Sequence, residues 1–448
     1  MTGPTFAGVR PALFADLYEL TMAAAYFADG RRGTATFELF VRSLPEHRNF
    51  LVACGLDDLL CGLEEWTFDD EAIAYLASIG RFDDAFLDHL HGMRFTGDVR
   101  AVPEGEVVFA GEPMVEITGP LIEAQLVETL ALNLIGSRTM QASKAARIAL
   151  ACGARSFVDF SARRDHGLDA AVGAARAAMT AGAAGTSLLE AGHRLGVPVS
   201  GTMAHAYVMA FDDERDAFRS FARTFPRDAV LLLDTWDTVQ GARHAVEVAG
   251  ELRAEGVTVT GVRLDSGDLL ALSKEVRAVL DAGGCGDVRI LVSGDLDEYR
   301  IAELIERGAP IDGFGVGTRL GTSADAPTLG VVYKLIEDEV GPKMKLAEGK
   351  STLPGRKQVR RCDDGFDYMT LAEETTDGRT LLEPVLRGGR RLQPRPAMQE
   401  LQARCRDAVA ALPARLRSLA PADPPYEVRL SPGLCALVDR LTAEHRGG

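Results

Sequence analysis

Side chains that could carry out chemistry follow a series of short apolar segments between residues 153 and 335. Each segment has the composition of a buried β-strand and ends in small, polar or charged residues. In parallel α/β proteins, functional groups collect where strands end and loops begin, so we expect these residues to share one edge of a sheet. In chain order they are Arg163 and Arg164; Thr186 and Ser187; Thr202 and His205; Asp234, Thr235 and Asp237; Arg263, Asp265, Ser266 and Asp268; Ser293, Gly294 and Asp295; and Gly315, Gly317 and Thr318.

This combination of residue types indicates a phosphorylated, anionic ligand. Arginine binds phosphate or carboxylate through paired hydrogen bonds. Glycine turns such as residues 315–318 offer backbone N–H groups to phosphate oxygens. Carboxylates beside phosphates commonly hold Mg²⁺. The residues alone therefore predict an enzyme that acts on phosphorylated anions with Mg²⁺.

Several of these residues also have a purely structural interpretation. Asp295 stands three residues before a glutamate, which is the spacing of a capping box. Ser266, Asp234 and Asp237 could cap the helices that follow them. A single histidine after a strand, such as His205, is more often structural than catalytic. The combination of arginines, carboxylates, an imidazole and glycine turns favours the functional interpretation.

The elements between residues 153 and 335 must bring these groups together. Apolar segments alternate with longer stretches of helical periodicity, which predicts parallel strands joined by helices. Such a series of units favours a closed (β/α) barrel. A doubly wound open sheet is the alternative, but the chain lacks the GxGxxG turn that this fold carries after its first strand. The predicted strands lie within residues 155–164, 183–188, 197–202, 229–237, 257–266, 288–296 and 311–319.

The fold class that follows is α/β, with three regions. Residues 1–152 mix helices with short strands and form an N-terminal α/β domain. Residues 153–335 form an irregular (β/α) barrel of parallel strands. Residues 336–448 contain a basic segment and terminal helices, and we expect this C-terminal extension to pack on the N-terminal domain.

Composition excludes several other functions. The formal net charge of −16 over 448 residues argues against nucleic-acid binding, which needs a basic face. No apolar run reaches the ~18 residues of a membrane span, and the N-terminus lacks the pattern of an export signal. We therefore expect a cytoplasmic protein that binds no membrane. Seven scattered cysteines without a CxxC pair predict neither a disulfide scaffold nor a zinc site.

Positive charge is concentrated in one stretch of this acidic chain. Five of the seven lysines lie between residues 334 and 357, and residues 343–361 form a basic segment. Two interpretations stay open from the sequence: a solvated basic loop, or a segment that faces the phosphates of a ligand.

An ordered set of motifs resembles the nicotinate phosphoribosyltransferases, and the resemblance runs nearly end to end. Each motif alone is weak, whereas the set in this order is specific. The motifs are ADLYELTMAAAYF (15–27), FSARRDHGLDAA (160–171), AGAAGTSLLEAGHRLGVPVSGTMAHAYVMAF (181–211), GVRLDSGDL (261–269), GFGVGT (313–318), LGVVYKL (329–335) and LPGRKQVRR (353–361).

The resemblance implies a type II phosphoribosyltransferase, a homodimer with shared active sites. It implies that nicotinate, phosphoribosyl pyrophosphate, ATP and water yield nicotinate mononucleotide, pyrophosphate, ADP and phosphate, with Mg²⁺, in NAD biosynthesis. A phosphohistidine would link ATP hydrolysis to the reaction. The enzyme would then be an ATP-coupled ligase as well as a pentosyltransferase.

The resemblance also suggests residue roles. His205 matches the histidine that ATP phosphorylates. Thr202 and Arg263 match positions that contact nicotinate, and Tyr18 matches an aromatic contact from the neighbouring subunit. Further matches are Thr318 at the phosphoribosyl donor, Arg163 and Arg164 at the same anionic ligands, and Asp265 and Asp295 near ribose or Mg²⁺.

Ser187 helps to distinguish substrates within the resemblance. Similar nicotinamide phosphoribosyltransferases have an acidic residue at the matching position, and its charge would repel a carboxylate substrate. A neutral serine therefore favours nicotinate. Nicotinamide phosphoribosyltransferase and a non-catalytic barrel that binds a phosphorylated metabolite remain the alternatives. His166 departs from the family pattern, and the sequence leaves it open as a second imidazole at the site or a loop residue.

Overall fold

The computed structural model describes residues 8–346, 352–362 and 364–446. Contacts divide the chain into two compact units. The first unit comprises the chain up to Ser143 together with the chain from Ala326 onward, and the second comprises Lys144–Asp325. The sequence-based region bounds at 152/153 and 335/336 stay a prediction.

The N-terminal third of the chain begins with a short 3₁₀ turn and ends with a long helix. The elements are the 3₁₀ turn Pro11–Leu13, α1 (Leu17–Ala28), β1 (Thr34–Val41), β2 (Leu51–Val52), α2 (Leu56–Glu65), α3 (Asp70–Ser78), α4 (Asp84–Leu90), β3 (Asp98–Ala101), β4 (Val107–Val108), β5 (Pro113–Pro120), α5 (Leu121–Leu126) and α6 (Glu128–Cys152).

The middle of the chain alternates strands with helices, as its periodicity predicts. The elements are β6 (Ser156–Asp159), α7 (Leu168–Thr180), α8 (Leu189–Leu195), α9 (His205–Met209), α10 (Glu214–Thr224), β7 (Ala229–Leu232), α11 (Thr238–Arg253), β8 (Val259–Leu264), α12 (Leu269–Ala282), β9 (Arg289–Val292), α13 (Glu298–Glu306), β10 (Gly313–Val316) and α14 (Thr318–Gly321).

The C-terminal third is rich in short strands and closes with two helices. The elements are β11 (Val331–Asp338), β12 (Gly341–Pro342), β13 (Lys357–Arg361), β14 (Asp367–Leu371), β15 (Arg379–Thr380), β16 (Glu383–Arg387), β17 (Arg390–Arg391), α15 (Met398–Ala411), β18 (Val428–Leu430) and α16 (Pro432–Arg446).

The first unit is built on a seven-stranded sheet with the order β12-β11-β1-β5-β3-β16-β17. β1 lies inside this sheet, antiparallel to both β11 and β5, with Leu39 opposite Tyr333 and Val115. β16 pairs with β3. Four strands from the C-terminal third, β11, β12, β16 and β17, therefore join the N-terminal sheet, which confirms that the C-terminal region packs on the N-terminal domain.

The second unit contains a parallel sheet with the order β6-β10-β9-β8-β7. Parallel single-residue bridges extend it from Asp159 to Thr186 and from Thr186 to Val199. The α/β class and the parallel sheet are confirmed. Closure into a barrel stays a prediction, because among the described residues no pairing joins Val199 to β7.

One predicted strand is much weaker than its sequence suggests. Residues 197–199 are apolar and predict a buried strand, but the structure has a single bridge residue there, and Val199 is 51% exposed. Pro198 lacks the N–H that a continuous ladder needs. Strand pairing therefore ends at Val199, three residues before Thr202.

The described part of the basic segment makes internal ion pairs. Lys357 has a fully buried side chain whose Nζ lies 2.9 Å from Glu38 Oε2, and it donates to the carbonyls of Leu353 and Gly355. Arg356 donates to Glu116, and Arg361 pairs with Glu106 and Asp367. These three cations are held by carboxylates of the first unit. They therefore belong neither to a solvated loop nor to a segment that faces a ligand, the two interpretations left open by the sequence. Residues 347–351 of the segment lie outside the described residues.

Replacing Lys357 with alanine should strongly destabilise the first unit. Glu38 would be left buried without its cation, and breaking such a pair costs about 3–5 kcal/mol. Thermal denaturation of Lys357→Ala should show the loss. The matched control is Lys343→Ala, because Lys343 pairs with Asp338 at a partly exposed position, where a pair contributes about 1 kcal/mol or less. Equal losses in the two variants would contradict the assigned role of Lys357.

Candidate functional site

The strands of the second unit run in one direction, so their carboxyl ends meet along one edge of the sheet. Ligands of open and closed α/β sheets bind at this edge, because loops from several strands converge there. The polar residues singled out in the sequence follow β6, β7, β8, β9 and β10 and the two bridge residues. The sheet therefore places them on neighbouring loops.

Arg263 is the penultimate residue of β8, and its guanidinium lies partly buried at this edge. Its Nη1 donates to Thr202 Oγ1 at 2.7 Å, whereas its buried Nε has no hydrogen-bond partner among the described atoms. Burial lowers the pKa of Arg263, although Asp265 and Asp234 partly oppose this, and the charge of Arg163 lowers it further. A desolvated guanidinium with an unused N–H favours an anionic ligand.

His205 begins α9 and lies beside a buried carboxylate. Its Nδ1 is 3.2 Å from Thr235 Oγ1, and its Nε2 is 4.0 Å from Asp234 Oδ1. The imidazole is 38% exposed, while the Asp234 side chain is 2% exposed. The short helix is held by Val208, which is fully buried. The backbone that carries the imidazole is therefore held in place, while part of the ring stays accessible to solvent.

Asp234 connects this imidazole to the loop after β8. Its Oδ2 accepts hydrogen bonds from Asp265 N at 2.9 Å and from Ser266 Oγ at 2.6 Å. Its buried Oδ1, which faces His205, has no hydrogen-bond partner among the described atoms. One oxygen thus fixes the carboxylate and the other is available to stabilise positive charge on the imidazole. From the sequence, Asp234 is expected only as a strand-end residue or a helix cap.

The structure separates caps from site residues at three of these positions. Asp237 caps α11 by accepting from Gln240 N, as the structural interpretation predicted. Ser266 does not cap α12, because Asp268 does. The capping-box interpretation of Asp295 is wrong, since Asp297 caps α13.

The glutamate expected in that capping box has a different role. Glu298 is fully buried and pairs with Lys144 and Arg147. Asp295 is exposed and has a φ of 47°, a conformation that is uncommon for a residue other than glycine. Such strain is often found at functional sites.

The loop after β9 lies against the loop after β8. The Ser293 hydroxyl donates to Asp265 Oδ1. A Cβ on Gly294 would lie 2.0 Å from the Asp265 carbonyl oxygen, so only glycine allows this approach. Asp265 is therefore held in place from both sides, by Ser293 and by its backbone bond to Asp234.

The remaining predicted residues lie on the loops after β6 and β10 and at the Thr186 bridge. Arg163, Arg164, Ser187 and Thr318 are all exposed. Ser187 N donates to the Asp159 carbonyl at 2.8 Å, which ties its loop to the end of β6. These side chains are accessible to a ligand at the same edge of the sheet.

The structure thus brings most of the predicted site together. Thr202 bonds to Arg263, and Asp234 connects His205 with Asp265. The charges of Asp265 and Asp234 also act on Arg263. Asp295, Ser187, Thr318, Arg163 and Arg164 occupy adjacent loops. Tyr18 belongs to the first unit, where it is 47% exposed at the start of α1. His166 is exposed in the loop after β6.

Metal ligands are sparse in the described parts of the chain. No group of three or more His, Cys, Asp or Glu side chains placed to hold a metal ion occurs among the described residues. A site made of one or two carboxylates completed by phosphate and water is the usual arrangement for Mg²⁺.

None of the helices in the described ranges has both the length and the apolar composition needed to cross a bilayer.

A partly desolvated guanidinium with an unpaired Nε and an imidazole backed by a buried carboxylate thus both lie at the carboxyl edge of this parallel sheet. Three family models match this chain. They are the nicotinate phosphoribosyltransferase N-terminal domain over residues 13–136, the nicotinate phosphoribosyltransferase family over 155–364, and the nicotinate phosphoribosyltransferase C-terminal domain over 344–438. The chain belongs to the nicotinate phosphoribosyltransferase family.

Individual relatives agree with these matches. A Mycobacterium tuberculosis protein named nicotinate phosphoribosyltransferase pncB2 is 48% identical over 446 residues, covering 98% of this chain and 96% of its own. The Bacillus subtilis nicotinate phosphoribosyltransferase is 42% identical, covering 81% of this chain and 76% of its own. The crystal structure of human nicotinic acid phosphoribosyltransferase matches with a TM-score of 0.84 and 31% identity, over 95% of this chain and 99% of that one.

Glu19, the residue after Tyr18, has an unusual protonation behaviour. Its side chain is fully buried, and burial raises the pKa of Glu19 to about 7; hydrogen bonds from Thr129 and Asp16 N lower it, whereas the charges of Glu128 and Asp16 raise it. Burial and the same acidic neighbours raise the pKa of the Tyr18 hydroxyl well above its ordinary value. The first turn of α1, which carries Tyr18, is therefore capped by the Glu19 carboxyl group, whose pKa is close to neutral pH.

This raised pKa predicts a loss of stability with increasing pH. Between the unfolded pKa of Glu19 and about 7, the folded chain keeps a proton that the unfolded chain releases, so the free energy of unfolding should fall as pH rises through this range, by up to about 3 kcal/mol. Glu19→Gln should remove this part of the pH dependence in thermal melts between pH 5 and 8. Glu65→Gln, at an exposed position in α2, is the control that should keep it. If the melting temperatures of wild type and Glu19→Gln changed with pH in the same way across that range, Glu19 would not be the group responsible.

Proposed function

We propose that this chain is a nicotinate phosphoribosyltransferase that joins nicotinate to phosphoribosyl pyrophosphate, forming nicotinate mononucleotide and pyrophosphate in NAD biosynthesis. Family membership supports the activity, and one observation carries the substrate assignment. The Arg263 guanidinium is partly buried, bonded to Thr202 and left with an unpaired buried Nε. A planar carboxylate on a pyridine ring would supply the missing acceptor and restore the interactions that burial removed.

The proposed reaction is a displacement at C1 of the ribose. The pyridine nitrogen of nicotinate forms the new bond to C1, and the bond from C1 to the pyrophosphate oxygen breaks, so pyrophosphate leaves with the bonding electrons. Positive charge develops on the ribose as the bond breaks. Asp265 and Asp295 would stabilise this charge electrostatically. Mg²⁺, when bound, would neutralise charge on the departing pyrophosphate.

Phosphate recognition would come from the loops after β6 and β10. Arg163 and Arg164 are exposed cations on one loop, and Thr318 follows the glycine turn on the other. The two arginines provide local positive charge in a chain whose formal net charge is −16. We assign these three residues to the phosphoribosyl donor.

ATP coupling is proposed to pass through His205. A nitrogen lone pair of the neutral imidazole would attack the γ-phosphorus of ATP, and the bond to the ADP oxygen would break. Water would later attack the phosphohistidine and release phosphate. Asp234 Oδ1, buried 4.0 Å from Nε2, would stabilise the positive charge that forms on the ring, as a carboxylate partner of histidine commonly does.

A homodimer in the cytoplasm completes the proposal. Large apolar side chains are exposed on the loops and short helices at the same edge of the second unit: Leu168, Leu189, Met209 and Trp236. A contiguous exposed apolar surface commonly marks an interface, and we propose that these side chains form one. We propose that a second copy covers it and that Tyr18 of the partner subunit reaches the pyridine ring.

Substrate choice is proposed to depend on Ser187. Its side chain is exposed, short and uncharged, so it does not repel a carboxylate. Ser187 therefore does not favour the alternative function of a nicotinamide phosphoribosyltransferase. A non-catalytic binding barrel is also disfavoured, because binding alone does not require an imidazole backed by a buried carboxylate.

Turnover assays with both pyridines test the activity. The purified protein with phosphoribosyl pyrophosphate and Mg²⁺ should convert nicotinate to its mononucleotide, should leave nicotinamide largely unchanged, and should work faster with ATP. Conversion of nicotinamide in place of nicotinate would refute the substrate assignment. Tight binding of the donor without turnover would favour the non-catalytic alternative.

The role of His205 is tested with γ-labelled ATP. Wild type should acquire an acid-labile phosphate in the peptide that contains His205, whereas His205→Gln should acquire none and should lose the stimulation by ATP. His193→Gln, which changes an exposed histidine in α8, is the matched control and should keep both. Label retained in His205→Gln would exclude the phosphohistidine at this position.

A further inference from the structure

The loops after β6 and β10 touch directly, without an intervening layer of side chains. A Cβ on Gly315 would lie 2.5 Å from the Phe160 ring, and a Cβ on Gly317 would lie 3.1 Å from the Phe160 carbonyl oxygen. Phe160 N also donates to the Val316 carbonyl at 2.8 Å. The close approach of Phe160 therefore leaves no room for a side chain at Gly315 and little room at Gly317, independently of any contact with phosphate.

Asp165 extends this contact to α14. A Cβ on Gly321 would lie 1.9 Å from Asp165 Oδ1 and 2.5 Å from Ser161 Cβ. The helix that begins at Thr318 thus presents bare backbone to a carboxylate that follows Arg163 and Arg164 in the chain. No larger residue than glycine fits at 321 while Asp165 keeps its position.

Ser161 holds the other side of the Asp165 carboxylate. Its hydroxyl lies 2.9 Å from Asp165 Oδ2 and 2.6 Å from Asp159 Oδ1, and the serine is fully buried. The hydroxyl has one hydrogen to donate. Asp159 also accepts from Ser161 N and from Thr186 Oγ1, so the Ser161 hydroxyl connects the Asp165 carboxylate to a carboxylate that is fixed at the end of β6.

We propose that Asp165 is a positioning residue whose carboxylate, clamped between Ser161 and the backbone of α14 at Gly321, fixes the distance between Arg163–Arg164 and Thr318. This proposal rests on the proposed function, in which those three residues hold the phosphoribosyl donor. Asp165 is itself directed into the contact between the two loops. It therefore acts through the arginines and Thr318 and does not act as a ligand of the substrate.

Positioning predicts a selective kinetic effect. Removing the clamp lets the two anion-binding loops move apart, and small displacements of this kind are costly in binding. Asp165→Ala should raise KM for phosphoribosyl pyrophosphate by roughly tenfold or more, while kcat and KM for nicotinate change by less than about threefold. Asp165→Asn should recover part of the affinity, because its amide group can still form a hydrogen bond with the Ser161 hydroxyl. Asp165→Glu should not, because Gly321 leaves no room for another methylene.

A double-mutant cycle tests whether the effect passes through α14. Gly321→Ala should raise KM for the donor by itself. Combined with Asp165→Ala its effect should be smaller than in the wild-type background, because the contact with Asp165 is then already lost. Gly250→Ala is the matched control, since a Cβ at this position in α11 meets nothing within 4 Å, and its kinetics should equal those of wild type.

Binding of inorganic pyrophosphate, measured by calorimetry, separates this proposal from the proposed function. If wild type shows no turnover, the function fails, while weaker pyrophosphate binding by Asp165→Ala and Asp165→Asn than by wild type would still support positioning. Unchanged donor KM and unchanged pyrophosphate affinity in both variants would overturn the proposal. It would also be overturned if both variants lowered the melting temperature and kcat with donor KM unchanged, because that result describes a purely structural residue.

Discussion

A partly buried cation without enough hydrogen-bond partners is unfavourable unless an anion compensates it, and Arg263 is in this state at the end of β8. Thr202 satisfies one N–H, and the carboxylates of Asp234 and Asp265 compensate part of the charge from nearby. The Nε remains without a partner among the described atoms. The parallel sheet fixes where this guanidinium lies, so the site is formed before any ligand arrives. The proposed affinity for an anion would then be a consequence of the fold.

Asp234 serves two parts of the site at once. Through Oδ2 it holds the loop after β8, which carries Asp265, and through Oδ1 it faces His205. The group proposed to accept a phosphoryl group and the loop proposed to stabilise the ribose thus share one buried carboxylate. This arrangement offers a physical route by which a phosphate on His205 could influence the donor site, because added negative charge beside Asp234 would act on both loops.

Much of this organisation could be predicted from sequence because it depends on short-range patterns. The apolar segments before Arg163, Asp234, Arg263 and Asp295 are strands in the structure, and the direction of parallel strands brings their ends together. Other features depend on tertiary contacts that local patterns do not encode. The sequence could not show that Asp237 is a cap whereas Asp234 is an anchor, since both follow the same strand. The buried partners of Lys357 and Glu298 lie more than 100 residues away in the chain. The neighbouring sequence therefore predicted a loop or ligand-facing position for Lys357 and a capping box for Glu298.

A crystal structure of the protein bound to nicotinate would test the role of Arg263. We expect the nicotinate carboxylate to lie within hydrogen-bond distance of the Arg263 guanidinium, Nε included, with Thr202 beside it. Nicotinate bound elsewhere, or bound with its carboxylate directed away from Arg263, would show that Arg263 does not recognise the substrate.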